Sequence, residues 1–135
     1  MKILVSACLL GENCKYSGGN NLDPTIAKLI EGHEVIPVCP EVFGGLPVPR
    51  VPCEIIQDKV IGKDGQDYTQ NYRLGAQKAI EIAKKEKVEL AIVKKRSPSC
   101  SASMIYDGTF RSVLIPGEGI FVRELRKLGI LIMEA

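Results

Sequence analysis

Lys2-Ile3-Leu4-Val5-Ser6-Ala7-Cys8 is the stretch that decides the fold. Ile3 to Ala7 is nearly all apolar and closes on small residues, without the in-out alternation of a strand that has one wet face. Such a run belongs to a strand covered on both sides. A loop rich in glycine and asparagine follows, through Gly11, Gly18, Gly19, Asn20 and Asn21. Asp23 then precedes Pro24, which is an N-cap followed by proline at the first helical position. The short helix through Ile26, Leu29 and Ile30 stops at Gly32, and His33 to Cys39 reads as a second strand. A strand–helix–strand unit at the start of a chain points to a parallel sheet.

The remainder repeats the alternation with one interruption. Pro40 to Pro52 is dense in Pro and Gly and reads as a long functional loop without secondary structure. Glu54–Ile61 has strand character, and Asp64-Gly65 is a tight-turn signal, so a small hairpin is expected there. Thr69 caps the longest helix, running to about Lys87, with Tyr72, Ala76, Ala79, Ile80 and Ala83 on one face. Leu90 to Val93 is a third buried strand. Tyr106-Asp107-Gly108-Thr109-Phe110 is a turn between short extended pieces. A last helix carries Phe121, Leu125 and Leu128 and ends at Gly129, and Ile130 to Met133 forms a final strand. The expected architecture is α/β, a single-domain Rossmann-like or flavodoxin-like three-layer sandwich with a mainly parallel sheet, spanning residues 1–135. Its strand order stays open.

Composition narrows the function. The chain has 135 residues, enough to bury one continuous core, so a metal is not needed merely to fold it. A net charge of +2 spread along the length argues against a nucleic-acid surface. The short cluster Lys94-Lys95-Arg96 reads as a solvated strand end, with contact to an anionic substrate as the other reading. No apolar run approaches the roughly 20 residues of a membrane-spanning helix, and the apolar start is too short for a signal peptide. A cytoplasmic location is expected, where five cysteines point to metal or catalytic roles rather than disulfides.

Cys8 and Cys39 each follow a strand end, and Cys100 comes just after the third strand. Open parallel sheets bind ligands outside the carboxyl ends of their strands, so these cysteines are expected to meet at one edge. Soft thiolates select zinc, copper(I) or iron–sulfur clusters. Structural zinc prefers close ligand pairs, which are absent here; widely spaced single ligands suit a cluster seated in a pocket. Cys14 reads either as a fourth ligand or reactive thiol, or as a partly exposed loop thiol, and Cys53 as a small buried residue. Glu41, two residues after Cys39, is a candidate general acid or base, or alternatively a loop cap. Ser97, Ser99 and Ser101 surround Cys100 with hydroxyls. Gly44-Gly45 allows close backbone approach to a ligand, and Arg50 is an anion or carbonyl contact, or a loop anchor. His33 is the only histidine and lies at the far end of its strand, so a Cys–His pair or a zinc hydrolase site is poorly supported. No glycine fingerprint for dinucleotides follows the first strand.

At these residues the chain resembles the 2-thiouracil desulfurase family. The matching stretches are Ser6-Ala7-Cys8-Leu9-Leu10-Gly11 with Cys14 and Tyr16, and Cys39-Pro40-Glu41-Val42-Phe43-Gly44-Gly45-Leu46-Pro47-Val48-Pro49-Arg50. Asp64-Gly65 with Asp67 and Thr69, Lys94 to Cys100, and Tyr106 to Phe110 follow in the family's order. The resemblance implies a 4Fe-4S cluster held by Cys8, Cys39 and Cys100 with one iron free of protein ligands. It implies Glu41 as acid/base and Ser97 in substrate positioning or proton transfer. The implied partner is a small thiolated molecule such as 2-thiouracil, converted to uracil and hydrogen sulfide. It also demotes Cys14 and Cys53 to bystanders. Ser101 stands where the family commonly has glycine, and Cys53 where a small residue is usual. Two other classes remain open: a metal-free module binding a nucleobase or phosphate, and a sulfur carrier using a persulfide on Cys14 or Cys100.

Overall fold

A computed structural model describes residues 1–135. Four parallel strands form the central sheet: β1 (Lys2–Ser6), β2 (Glu34–Val38), β5 (Leu90–Val93) and β8 (Leu131–Glu134), in the spatial order β2-β1-β5-β8. The apolar run of β1 is buried on both faces, as its composition requires. Leu4 joins the larger core cluster, while Ile3 and Val5 join a second, smaller one. Strand β5 divides the same way, with Ala91 and Val93 on one side and Ile92 on the other. Helix α1 (Pro24–Leu29) contributes Ile26 to the smaller cluster; α3 (Thr69–Lys85) and α4 (Ile120–Lys127) contribute to the larger. The result is a three-layer sandwich. The chain runs outward from β1 to β2, then crosses back to β5 and on to β8, so its direction reverses between β1 and β5. This is the flavodoxin-like order, and the reversal marks where such sheets bind ligands.

Two antiparallel hairpins are set outside the sheet: β3 (Cys53–Ile56) with β4 (Lys59–Gly62), and β6 (Met104–Tyr106) with β7 (Leu114–Pro116). The first hairpin turns at Gln57 and Asp58, both with positive φ (49° and 65°), and not at Asp64-Gly65. Asp64-Gly65 makes a separate turn after β4, where the Asp64 carboxylate accepts the Gln66 N–H. Thr69 opens α3, but its hydroxyl accepts the Val60 N–H at 2.9 Å and so ties the helix to the hairpin rather than capping it.

The segment expected to lack secondary structure holds a one-turn helix, α2 (Pro40–Phe43), with Cys39 at its N-cap. One turn is too short to be stable alone. It is held by tertiary contact with α3: the Asn71 side-chain amide donates to the Gly44 carbonyl at 2.9 Å. The two backbones meet closely at their glycines. A Cβ on Gly75 would lie 1.6 Å from the Pro40 carbonyl oxygen, and one on Gly44 would lie 2.0 Å from that of Asn71.

That contact gives a sign test. Alanine ordinarily favours a helix interior by about 1 kcal/mol over glycine. Gly75→Ala is nonetheless expected to lower the stability by about 3 kcal/mol, because the methyl group forces α2 off α3; urea unfolding measures it. Ser101 gives a change of opposite sign. It is fully buried and its hydroxyl has no hydrogen-bond partner. Ser101→Ala is expected to raise stability by about 1 kcal/mol, read as a higher melting temperature.

Candidate active site

Strands β1, β2 and β5 end side by side, and the chain leaving each one carries a cysteine. Cys8 lies on the single 3-10 turn Ala7–Leu10 after β1, Cys39 caps α2 after β2, and Cys100 ends the Ser97-Pro98-Ser99-Cys100 segment after β5. The Ser6 hydroxyl joins two of these exits by accepting the Lys94 N–H at 3.1 Å. A cavity of about 420 Å³ opens at this edge, lined by Cys8, Cys14, Cys39, Cys100, Glu41 and Ser97 among others. That volume is ordinary for a small-molecule site. No group of three or more His, Cys, Asp or Glu side chains is arranged to hold a metal ion. The thiols line a space instead of meeting at a point.

The thiols differ in character. Cys8 is drawn down to about 6, first by the hydrogen bond from the Cys14 thiol, with Asn21 and the Lys94 charge assisting against burial. Cys39 is also lowered, again chiefly by Cys14. Cys14 is raised, because its proton is held between Cys39 and Cys8. Burial pushes Cys100 up to about 12 and Cys53 up to about 11. Cys14 is therefore in the midst of the sulfur group. Cys53, expected as a packing residue, is buried and also lines the cavity. His33 is exposed at the opposite end of β2.

Glu41 sits in a shell of donors. The Arg50 Nε donates to its Oε1 at 3.0 Å, and the Tyr72 hydroxyl donates to the same oxygen at 3.0 Å. The Ser99 hydroxyl donates to Oε2 at 2.9 Å, with Ser97 Oγ further off at 3.5 Å. The Arg50 and Glu41 side chains are only 5% and 12% exposed, so this is a buried ion pair. Two more acceptors fix Arg50: the Cys14 carbonyl at 2.7 Å and the Pro47 carbonyl at 3.2 Å. Ser97 Oγ accepts the Ser99 and Cys100 N–H groups at 3.2 and 3.1 Å and lies 2.9 Å from Ser99 Oγ. With both N–H groups directed at its oxygen, its own proton is left for Ser99 Oγ or for Glu41 Oε2.

The expected residues Cys8, Cys39, Cys100, Glu41 and Ser97 thus all face one cavity. Three participants were not anticipated in their present roles. Tyr72 belongs to the apolar face of α3, and periodicity gave no hint of its hydroxyl contact. Ser99 is closer to Glu41 than Ser97 is. Arg50 anchors its loop through the Cys14 and Pro47 carbonyls, as one reading expected, and in addition pairs with the Glu41 carboxylate. Lys15, Lys63, Lys94, Lys95 and Arg96 also line the cavity, with Lys95 and Arg96 exposed to solvent as expected of a strand end.

Residues 3–135 match the 2-thiouracil desulfurase family. The uncharacterized protein YbbK of Bacillus subtilis (strain 168) is 37% identical over 137 residues, covering 94% of this chain and 91% of that protein. The solved structure of the 4Fe-4S-dependent thiouracil desulfidase TudS superposes with a TM-score of 0.92 at 36% identity, over 98% of this chain and 89% of that one. Fold and sequence agree, and the chain belongs to the 2-thiouracil desulfurase family of enzymes.

Proposed function

We propose that this enzyme replaces the sulfur of a thiocarbonyl compound such as 2-thiouracil with oxygen from water, giving uracil and hydrogen sulfide, at a 4Fe-4S cluster held by Cys8, Cys39 and Cys100. The observation that carries the reading is the donor-clamped Glu41 carboxylate lining the same cavity as those cysteines. The donor set suits the group. Cys8 and Cys39 are drawn toward thiolate, the form that binds iron, and metal binding deprotonates a buried thiol such as Cys100. Cys8, Cys39 and Cys100 would hold the cluster, which would supply Lewis-acid stabilisation of the charge developing on the departing sulfur.

The chain's own groups handle protons and position. Arg50 and Tyr72 fix Oε1 of Glu41, so a proton is exchanged at Oε2, the oxygen that the Ser99 hydroxyl reaches. Glu41 takes one proton from the water that attacks the thiocarbonyl carbon and passes it to the departing sulfur; the second proton of that water follows as the new carbonyl forms, so hydrogen sulfide leaves and no electrons are exchanged. Ser97, anchored by two backbone N–H groups, directs its hydroxyl to the substrate. Five free cysteines suit a reducing compartment, and the reading places the enzyme in the cytoplasm. No helix is long and apolar enough to cross a membrane. A persulfide carrier is the second reading, favoured by the placement of Cys14 between Cys8 and Cys39.

Anaerobic reconstitution followed by iron and sulfide counting tests the cluster. Cys8→Ser, Cys39→Ser and Cys100→Ser are each expected to lose most of the iron, and Cys14→Ser to keep it. Iron-free wild-type protein after careful reconstitution sinks the proposal. Full sulfide release from Cys14→Ser removes the carrier reading. Glu41→Gln is expected to bind iron normally yet release sulfide about a hundredfold more slowly. An unchanged rate takes Glu41 out of the mechanism.

A further inference from the structure

The turn joining β6 to β7 plays no part in the chemistry above, yet it is built at some cost. Phe110 and Ser112 both have left-handed backbones, with φ of 58° and 60°, a conformation that non-glycine residues adopt only when their surroundings impose it. The imposing group is Glu54 on β3. Its Oε1 accepts the Gly108 N–H at 3.0 Å and the Phe110 N–H at 3.1 Å. Glu54 is 8% exposed and forms no ion pair, so these N–H groups are what compensates its burial. Gly108 is seated directly on β3, where a Cβ would lie 2.4 Å from Ile56 Cγ1. Asp107 braces the turn from within by accepting the Thr109 N–H and hydroxyl at 2.9 and 2.6 Å. A rigid turn clamped in this way brings Phe110 to the wall of the cavity that holds Glu41 and the cysteines.

We propose that Phe110 is a specificity-determining residue: its ring is the face on which a planar thiocarbonyl heterocycle lies, and Glu54 is the positioning residue that holds it there. A pyrimidine ring carries its polar groups on its edge and leaves two flat faces to be covered, and an aromatic side chain covers one without demanding a hydrogen bond. An acyclic thioamide or thiourea is also planar but presents a much smaller face and gains little from Phe110. The inference rests on the desulfurase reading of the site and adds the residue by which it recognises a ring.

The test uses reconstituted wild-type enzyme, Phe110→Leu, Phe110→Tyr and Glu54→Gln, with iron counted in each. Phe110→Leu keeps apolar bulk and removes only the aromatic face. Uracil binding by equilibrium dialysis is expected to weaken about tenfold or more in Phe110→Leu and to be restored in Phe110→Tyr. KM for 2-thiouracil rises in parallel while kcat, iron content and inhibition by thiourea stay at the wild-type level. Glu54→Gln shows a smaller rise in KM of the same kind. Uracil binding within twofold of wild type in Phe110→Leu overturns the inference while leaving the desulfurase reading intact. An equal loss toward uracil and thiourea, or a fall in kcat with KM unchanged, assigns Phe110 a general structural role and also overturns it. A wild-type enzyme that holds iron but releases no sulfide overturns the desulfurase reading, and this inference with it.

Discussion

Gly75 on α3 faces the Pro40 carbonyl with no room for a methyl group, and much of the site depends on that contact. The α2 turn is too short to hold its own shape. It begins at Cys39, carries Glu41 in its first turn and ends at Gly44, so the surface on which it rests sets a sulfur and a carboxylate together. Tyr72 is on the same face of α3 as Gly75 and Ala76, and the close approach brings its hydroxyl within hydrogen-bond reach of Glu41. A longer side chain at either glycine would separate the cysteine, the carboxylate and its tyrosine partner in one movement.

Around that contact the electrostatics are unequal by position. Arg50 enters from the far end of the loop and lies between Glu41 and the Cys14 carbonyl, so one guanidinium joins the carboxylate to the loop that bears a thiol. Removing one member of a buried ion pair leaves the other charged and alone, which costs about 3–5 kcal/mol. This loop is therefore tied to the site more strongly than its proline and glycine content suggests. The sulfurs divide too. Cys8 and Cys39 are lowered by their neighbour Cys14, whereas burial raises the deeper Cys100 against the hydrogen bonds from Ser6 and Ser99.

The sheet strands and long helices were readable because continuous apolar runs and a helical spacing report directly on burial, and cysteines at strand ends report on where a parallel sheet gathers its ligands. Strand order was not readable, since it depends on which strand each crossover returns to. The α2 helix escaped notice because its stability comes from α3 and not from its own residues. The hairpin turn was misplaced because Asp64-Gly65 has the composition of a tight turn, while Gln57 and Asp58 take up left-handed backbones without a glycine. Tyr72 illustrates the limit of periodicity: the pattern says that a residue points inward, not what its polar tip touches. Cys14 illustrates another, for a loop thiol looks incidental until the loop closes over its neighbours.

The three strand exits also set an order of events in the life of the chain. Cysteines in close pairs on one short loop can grip a metal before the rest of a protein has formed. Here each sulfur is delivered by a different crossover, and none approaches the others until β1 has paired with both β2 and β5. The cavity they line is therefore a product of the paired sheet and not of any one loop.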